Sequence, residues 1–183
     1  MKALIVFESM FGNTEGLARA VAEGLVAASA EVGVVEVRRV ERRDLAGCEL
    51  LVVAAPTHAF SLSRPQTRAD AVTRGADPIN AETGVREWLS TLDGTFDPTM
   101  SRPSVAVFDT RVEKVRHLPG SASRRAARML TRQGFVLIGR PVSFYVEDVQ
   151  GPISTGESQR ARVWGQDLAS AISEARSSSA PSG

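Results

Sequence analysis

Four small or polar residues near the start of the chain have the types and spacing of an anion-binding turn: Ser9, Gly12, Asn13 and Thr14. The two hydroxyls can donate hydrogen bonds, and the glycine lets the backbone approach a ligand or take a positive φ angle. The turn lacks both the lysine of a Walker A motif and the triple glycine of the dinucleotide fingerprint. The pattern therefore predicts a monophosphate site that uses neither a metal nor a lysine.

The elements on either side of this turn can position it. An apolar run, Lys2–Glu8, predicts a buried strand, and afterwards Leu17, Val21 and Leu25 recur at helical spacing. The first turn of a helix has unpaired backbone N–H groups and partial positive charge, which attract an anion. An ordinary strand-to-helix turn capped by Asn13 is the alternative interpretation.

The turn resembles the phosphate loop of the flavodoxins, whose pattern is roughly Thr/Ser-x-Thr-Gly-Asn-Thr and which binds the ribityl phosphate of FMN. The matching positions are Ser9, Gly12, Asn13 and Thr14. The departures are Met10 and Phe11, where many flavodoxins have hydroxyl residues. Their loss would weaken phosphate binding by about 1 kcal/mol per hydrogen bond. The variant is also similar to the loop of flavodoxin-like NAD(P)H:quinone oxidoreductases.

Composition excludes several other classes of function. The chain has 183 residues, a formal net charge of +1, two histidines and a single cysteine, Cys48. These values argue against a general polyanion-binding surface, a disulfide framework and a cysteine-based zinc site, and they suit a reducing cytosol. No apolar stretch is long enough to span a bilayer. We therefore expect a cytoplasmic protein that binds neither nucleic acid nor membrane, and we expect no metal site.

Strand and helix patterns alternate along the chain. The later predicted strands are Glu31–Val37, Leu50–Ala55, Ser104–Phe108, and Phe135–Ile138 resuming at Val142–Val146. The later predicted helices are Val85–Leu92, Ala122–Gln133 and a last one that follows a Ser154/Glu157 capping box and buries Trp164. Residues 64–83 read as a long surface excursion with a helical turn near Thr67–Thr73. Such alternation predicts an α/β fold with a doubly wound parallel sheet.

The flavodoxin resemblance extends over about residues 2–175, which we expect to form one domain, with a disordered tail at 176–183. It implies a five-stranded parallel sheet in the order 2-1-3-4-5, with helices on both faces. In that arrangement a ligand binds at the carboxyl ends of strands one and three. The resemblance also implies FMN as the cofactor.

The loops after strands three and four grip the flavin ring in flavodoxins. By position, the first of these loops comprises Pro56, Thr57, His58, Ala59 and Phe60. His58 stands where many flavodoxins have a stacking Trp, and Phe60 is an alternative stacking residue. The second comprises Asp109, Thr110 and Arg111, whose backbone N–H groups are expected to face the ring. No second stacking residue is evident after strand four.

Basic residues near these loops distinguish the chain from the usually acidic flavodoxins: Arg64, Arg68, Arg111, Lys114 and Arg116. Two unit charges about 8 Å apart interact by roughly 2 kcal/mol at an effective dielectric near 20. Cations beside the ring would stabilise the anionic reduced flavin. We therefore expect the bound flavin to be a weaker reductant than in acidic flavodoxins. Solvated side chains that contribute little are the alternative.

Three functions are compatible with these features. The first is a flavodoxin-type electron carrier with no catalytic residues, which docks to a redox partner that has an acidic face. The second is an FMN-dependent NAD(P)H:quinone oxidoreductase in which Arg64 or Arg68 contacts the dinucleotide. The third is a flavodoxin-fold module that has lost FMN. Fold alone does not distinguish them.

Overall fold

A computed structural model describes residues 1–92, 96 and 102–179. It contains a five-stranded parallel sheet in the order β2-β1-β3-β4-β5, which confirms the predicted fold class and strand order. The strands are β1 (Lys2–Phe7), β2 (Glu31–Glu36), β3 (Leu50–Pro56), β4 (Ser104–Val112) and β5 (Val142–Val146). The helices are α1 (Asn13–Ala27), α2 (Pro65–Thr73), α3 (Val85–Thr91), α4 (Ala122–Arg132) and α5 (Glu157–Ser179).

The helices cover both faces of the sheet, as predicted, because side chains alternate along each strand. On one face Ile5 and Phe7 of β1 pack with α1 and α5. On the other face Leu4 and Val6 pack with α3 and α4. Strands buried on both faces read as continuous apolar runs, which is why β1 and β3 were recognisable without alternation.

The end of the sheet at β5 differs from the prediction. Residues 135–138 form only an isolated bridge, between Leu137 and Val105, and the strand begins at Val142. Its register runs from Phe108↔Val142 to Val112↔Val146. Because β5 pairs with the second half of β4, β4 extends four residues beyond its predicted end at Phe108.

Three helical predictions also need correction. The predicted excursion at 64–83 is largely ordered, with α2 followed by a short 3₁₀ helix at Pro78–Ala81. The predicted Ser154/Glu157 capping box is absent, because α5 begins at Glu157 and that carboxylate accepts a hydrogen bond from the Tyr145 N–H instead. The helix continues to Ser179, into the predicted tail, and the rest of that tail lies outside the described residues.

Helices α1 and α5 cross at two glycines. A Cβ atom on Gly24 would lie 2.0 Å from the carbonyl oxygen of Arg162, and one on Gly165 would lie 2.3 Å from that of Val21. Both obstacles are backbone atoms in helices, which cannot rotate away as a side chain can. The absence of a side chain at these positions is what allows the two backbones to approach.

We expect Gly165→Ala to lower the free energy of unfolding by about 2 kcal/mol, because the added methyl forces the helices apart and overpacks the contact. Urea unfolding monitored by circular dichroism measures the change. Gly16→Ala is the matched control, since the atom it would meet is Cδ1 of Ile153, at 3.2 Å, the end of a flexible side chain. Equal stability of the Gly165→Ala variant and the wild type would contradict the packing argument.

Candidate functional site

A cleft of about 300 Å³ lies where the carboxyl ends of β1, β3, β4 and β5 meet. This volume is at the lower end of the range of roughly 300–1,000 Å³ for small-molecule sites. The predicted site residues that line it are Ser9, Met10, Phe11, Asn13, Thr14, Pro56, Thr57, His58, Ala59, Thr110 and Arg111. The predicted site residues outside its lining are Gly12, Phe60 and Asp109.

The turn between β1 and α1, residues 9–14, offers free backbone donors. Among the described residues, the N–H groups of residues 10–14 donate no hydrogen bond to any other group. Gly12 holds the turn open with φ +84°, and nothing lies within 4 Å of where its Cβ would be. Because the α1 dipole adds partial positive charge at the same place, the turn is suited to bind an anion.

Three hydroxyls supplement these backbone donors. Ser9 Oγ accepts a hydrogen bond from the Glu15 N–H at 3.3 Å, so its own O–H remains available. The Thr14 and Thr110 hydroxyl oxygens are 2.8 Å apart, and both side chains are buried. Since only one of these two donates to the other, the second keeps a hydrogen for a ligand.

Met10 and Phe11, the two departures from the flavodoxin pattern, have a structural role. Met10 is buried in a small cluster with Ala71 and Ala76, and Phe11 packs against the same cluster. The side chains of the turn therefore anchor α2 and the residues that follow it. This packing explains apolar residues at positions where hydroxyls would otherwise face a phosphate.

Helix α2 forms a wall of the cleft that the sequence analysis missed. Its contribution comes from Thr67, Asp70, Ala71 and Arg74. The weak hydrophobic periodicity of 64–83 indicates only a helical turn near Thr67–Thr73, and Pro65 at the first helical position is the signal for the full helix. Val112, Val146 and Val149 complete the lining and were also missed.

The segment after β3 brings Thr57 and His58 to the cleft. The Thr57 N–H donates to the Thr110 carbonyl at 2.8 Å, and its hydroxyl accepts from the Ala122 N–H at 3.0 Å, so the residue is tied to β4 and α4. Burial lowers the pKa of the His58 imidazole, with a smaller contribution from the Arg68 cation. The His58 side chain that lines the cleft is therefore uncharged at pH 7.

A tight turn directs Phe60 away from the cleft. His58 and Ser61 exchange two backbone hydrogen bonds of 2.9 and 3.0 Å, and the intervening Ala59 and Phe60 both have positive φ angles, 47° and 61°. Phe60 is 45% exposed and lies beside Gly120. The sequence offered it as a ring-stacking alternative to His58, but the turn places it outside the lining.

Asp109, Thr110 and Arg111 lie in β4 and not in the predicted loop, because Pro56 of β3 pairs with Thr110 and β5 pairs with all three. Their backbone is therefore part of the sheet. Asp109 is fully buried and accepts a hydrogen bond from the Ser123 N–H at 2.7 Å, which ties it to the start of α4 and not to the cleft.

Arg111 is 7% exposed, yet it makes no ion pair with any described residue. Its Nη2 donates to the carbonyl oxygens of Val115 and Leu118, both at 2.7 Å. Its Nε is buried without a hydrogen-bond partner. The cleft is thus bordered by a buried guanidinium that makes no ion pair with a carboxylate of the described residues.

Arg68, predicted as a rim cation and a dinucleotide contact, is instead 2% exposed beneath the cleft. Its Nη1 donates to Ser63 Oγ at 3.0 Å and pairs with Glu87 at 3.1 Å. The side chain is buried because residues on both sides of α2 in sequence enclose it, including Ser63 and Ala81, whose carbonyl oxygen accepts from the Arg68 Nε at 3.0 Å. Among the other predicted rim cations, Arg116 pairs with Glu113 at 3.1 Å, and Arg64 and Lys114 are exposed.

Glu8 is buried and lies between the end of β1 and the turn at residues 9–14. One carboxylate oxygen accepts from the Val85 N–H at 2.8 Å, and the other has no hydrogen-bond partner. Burial raises the pKa of Glu8, and hydrogen bonds to Ser63 and Val85 and the Arg68 charge oppose that rise. The folded protein therefore binds this proton more tightly than the unfolded chain does.

We expect Glu8→Gln to flatten part of the dependence of stability on pH. A raised folded pKa contributes stability that is fully present below the ordinary value of about 4.5 and is lost as pH rises through the folded value. The wild type should therefore lose more stability than the variant between about pH 4.5 and 7, as urea unfolding at each pH would show. Glu31→Gln, on the exposed edge strand, controls for the substitution. Parallel profiles for wild type and Glu8→Gln would contradict the assignment.

The residues of the cleft fit a phosphate-bearing planar cofactor. The lining combines the free N–H groups and hydroxyls of the turn with His58, aliphatic side chains and Arg111, which makes no ion pair with a described residue. Among the described residues, no group of three or more His, Cys, Asp or Glu side chains could hold a metal ion. No helix in the described part of the chain has the length and apolar character needed to cross a membrane.

Comparison with known proteins agrees with this architecture. A family model described as Flavodoxin matches residues 5–140, which is more than half of the chain. No functionally curated protein matches the sequence.

Solved structures with the same fold include a flavodoxin from the domain Archaea, with 18% identity and a TM-score of 0.69 over 94% of this chain and 99% of that chain. A Streptococcus pneumoniae TIGR4 flavodoxin has 20% identity and a TM-score of 0.62 over 93% and 99%. The flavodiiron protein from Giardia intestinalis has 16% identity and a TM-score of 0.66, over 98% of this chain but only 38% of that chain.

Proposed function

The chain belongs to the flavodoxin family, and on that premise we propose that its cleft binds FMN and that the protein transfers electrons between partner proteins. The observation that carries the proposal is the turn at residues 9–14. Its backbone N–H groups have no partner among the described residues and lie at the N-terminus of α1, at the switch point of the sheet.

The turn would hold the phosphate of FMN through these N–H groups and the hydroxyls of Ser9 and Thr14. Thr57, His58 and Arg111 would surround the flavin ring, and Thr110, whose hydroxyl oxygen is 2.8 Å from that of Thr14, would lie near the phosphate. When bound, FMN supplies one- and two-electron redox chemistry. The protein's part is to bind the cofactor, exclude water from one side of it and set the charge around it.

Electron transfer is favoured over NAD(P)H oxidation by what borders the cleft. His58 is neutral, and its lowered pKa makes it a weak proton acceptor. Of the two arginines suggested by the sequence as contacts for a dinucleotide phosphate, Arg68 is buried against Glu87 and unavailable, and Arg64 is exposed and lies outside the lining of the cleft. A carrier needs no acid or base, so the absence of an evident pair among the described cleft residues suits that function.

We further propose that the redox partner docks beside the cleft through an acidic face. Phe60 and Leu118 are 45% and 46% exposed on this side, and Arg64 and Lys114 are exposed nearby in the sequence. Apolar contacts surrounded by basic residues are suited to transient, salt-dependent association with an acidic surface.

The main experiment is an absorbance spectrum after incubation with FMN and gel filtration. Retained flavin bands at about one FMN per chain would support the proposal, and a colourless protein would favour a module that has lost FMN. NADPH oxidation by the loaded protein, with and without a quinone, then separates carrier from reductase. Quinone-dependent turnover at enzymatic rates would overturn the carrier assignment.

A further inference from the structure

We propose that Arg111 is the residue that sets the reduction potential of the bound flavin, by favouring its reduced, anionic form. The inference rests on the proposed FMN binding and assigns to one buried side chain the electrostatic effect that the sequence suggested for five basic residues. The structure separates Arg111 from the other four by burial and by pairing.

Arg111 carries a positive charge in a buried position. A guanidinium is protonated at all physiological pH values, and a buried one is almost always paired with an acidic group. Arg111 is 7% exposed, and both of its hydrogen bonds go to neutral carbonyl oxygens. Its Nε is buried with no hydrogen-bond partner among the described residues, so the side chain has unused donor capacity as well as a charge that makes no described ion pair.

The Arg111 side chain borders the proposed cofactor site. Arg111 lines the cleft together with Thr57 and His58. The remaining charged residues of the lining, Asp70 and Arg74, are exposed and of opposite sign. A buried charge is screened less by solvent than an exposed one, so Arg111 contributes more to the field in the cleft than Asp70 or Arg74 does.

The other four basic residues are either paired with a carboxylate or exposed to solvent. Arg68 is buried, but Glu87 neutralises it. Arg116 is exposed and pairs with Glu113. Arg64 and Lys114 are exposed, where solvent and salt reduce their effect. Since adding electrons makes the flavin ring more negative, a buried cation that pairs with no described carboxylate binds the reduced form more tightly than the oxidised form.

The test is a dithionite titration of the FMN-loaded wild type and of Arg111→Gln, Arg111→Lys and Arg116→Gln. Arg116→Gln is the matched control, because it removes the same charge from an exposed position. We expect Arg111→Gln to reduce the preference for reduced over oxidised flavin about tenfold, which is about 59 mV in a one-electron step. Arg111→Lys should retain most of the wild-type potential, and Arg116→Gln should change it several-fold less.

A structural role alone predicts a different result. If Arg111 only holds the 113–118 segment, Arg111→Gln should weaken oxidised and reduced FMN equally and leave the potential unchanged, which would overturn the inference. Equal shifts for Arg111→Gln and Arg116→Gln would overturn it as well. If Arg111→Gln does not fold, the wild-type potential decides: it should vary little between low and high salt, and a strong salt dependence would assign the effect to exposed charges. Failure of the wild type to retain FMN would instead contradict the proposed function.

Discussion

A Ser9→Ala/Thr14→Ala variant is expected to bind FMN about 30- to 160-fold more weakly than the wild type, equivalent to about 2–3 kcal/mol for two hydroxyl contacts. Ser9 Oγ already accepts from the Glu15 N–H, so its O–H is free for the phosphate. Thr14 and Thr110 share one hydrogen bond and together keep one hydrogen to donate. Fluorescence titration of flavin quenching measures both affinities.

The control ligand for this prediction is riboflavin, which lacks the phosphate. Its affinity should be nearly the same for the variant and the wild type if the turn binds the phosphate. Thr14→Ser, which keeps the hydroxyl, should retain most of the FMN affinity. An equal loss for both ligands would mean that the substitutions damage the cleft generally, and unchanged FMN affinity would place the phosphate elsewhere.

The second large effect is expected from Arg68→Met, which should lower the free energy of unfolding by about 3 kcal/mol. The substitution removes a 2% exposed cation and with it the positive charge that lowers the pKa of the buried Glu8. The value is at the low end of the range for breaking a buried pair because the Glu87 side chain is 40% exposed and can be solvated. Urea unfolding at pH 7 measures it.

Arg74→Met is the matched control, since Arg74 directly follows the same helix and is exposed. It should change stability by less than about 0.5 kcal/mol. Adding Glu8→Gln to Arg68→Met should recover part of the loss, because the buried carboxylate no longer needs a counter-charge. If Arg68→Met costs the same stability in the wild-type background and in the Glu8→Gln background, the two residues are not coupled.

Secondary structure was predictable wherever local pattern and burial agree. The run Lys2–Glu8 and the spacing of Leu17, Val21 and Leu25 identified β1 and α1 because both are packed on the core along their length. The parallel order of the sheet followed from the alternation of strands and helices. Fold class is a property of such patterns, and it survives errors at the ends of individual elements.

Contacts between residues distant in sequence determined what was missed. Nothing near Asp109–Arg111 indicates a strand, and that segment is extended because β5 pairs beside it. Helix α2 has little periodicity of its own and is held by Met10 and Phe11, more than fifty positions earlier. Phe60 leaves the cleft because of a turn whose positive φ angles a sequence of Ala and Phe does not suggest.

By itself, the sequence determined a doubly wound parallel sheet and the turn at residues 9–14, because hydrophobic periodicity and turn chemistry are local properties. The tertiary structure alone decided which charges matter. Arg68 and Arg111 look alike in the sequence, but one is buried in an ion pair with Glu87 and the other is buried without an ion pair to any described residue. The effect of a charge depends on its burial and its neighbours, and both are set by the packing of elements that are far apart along the chain.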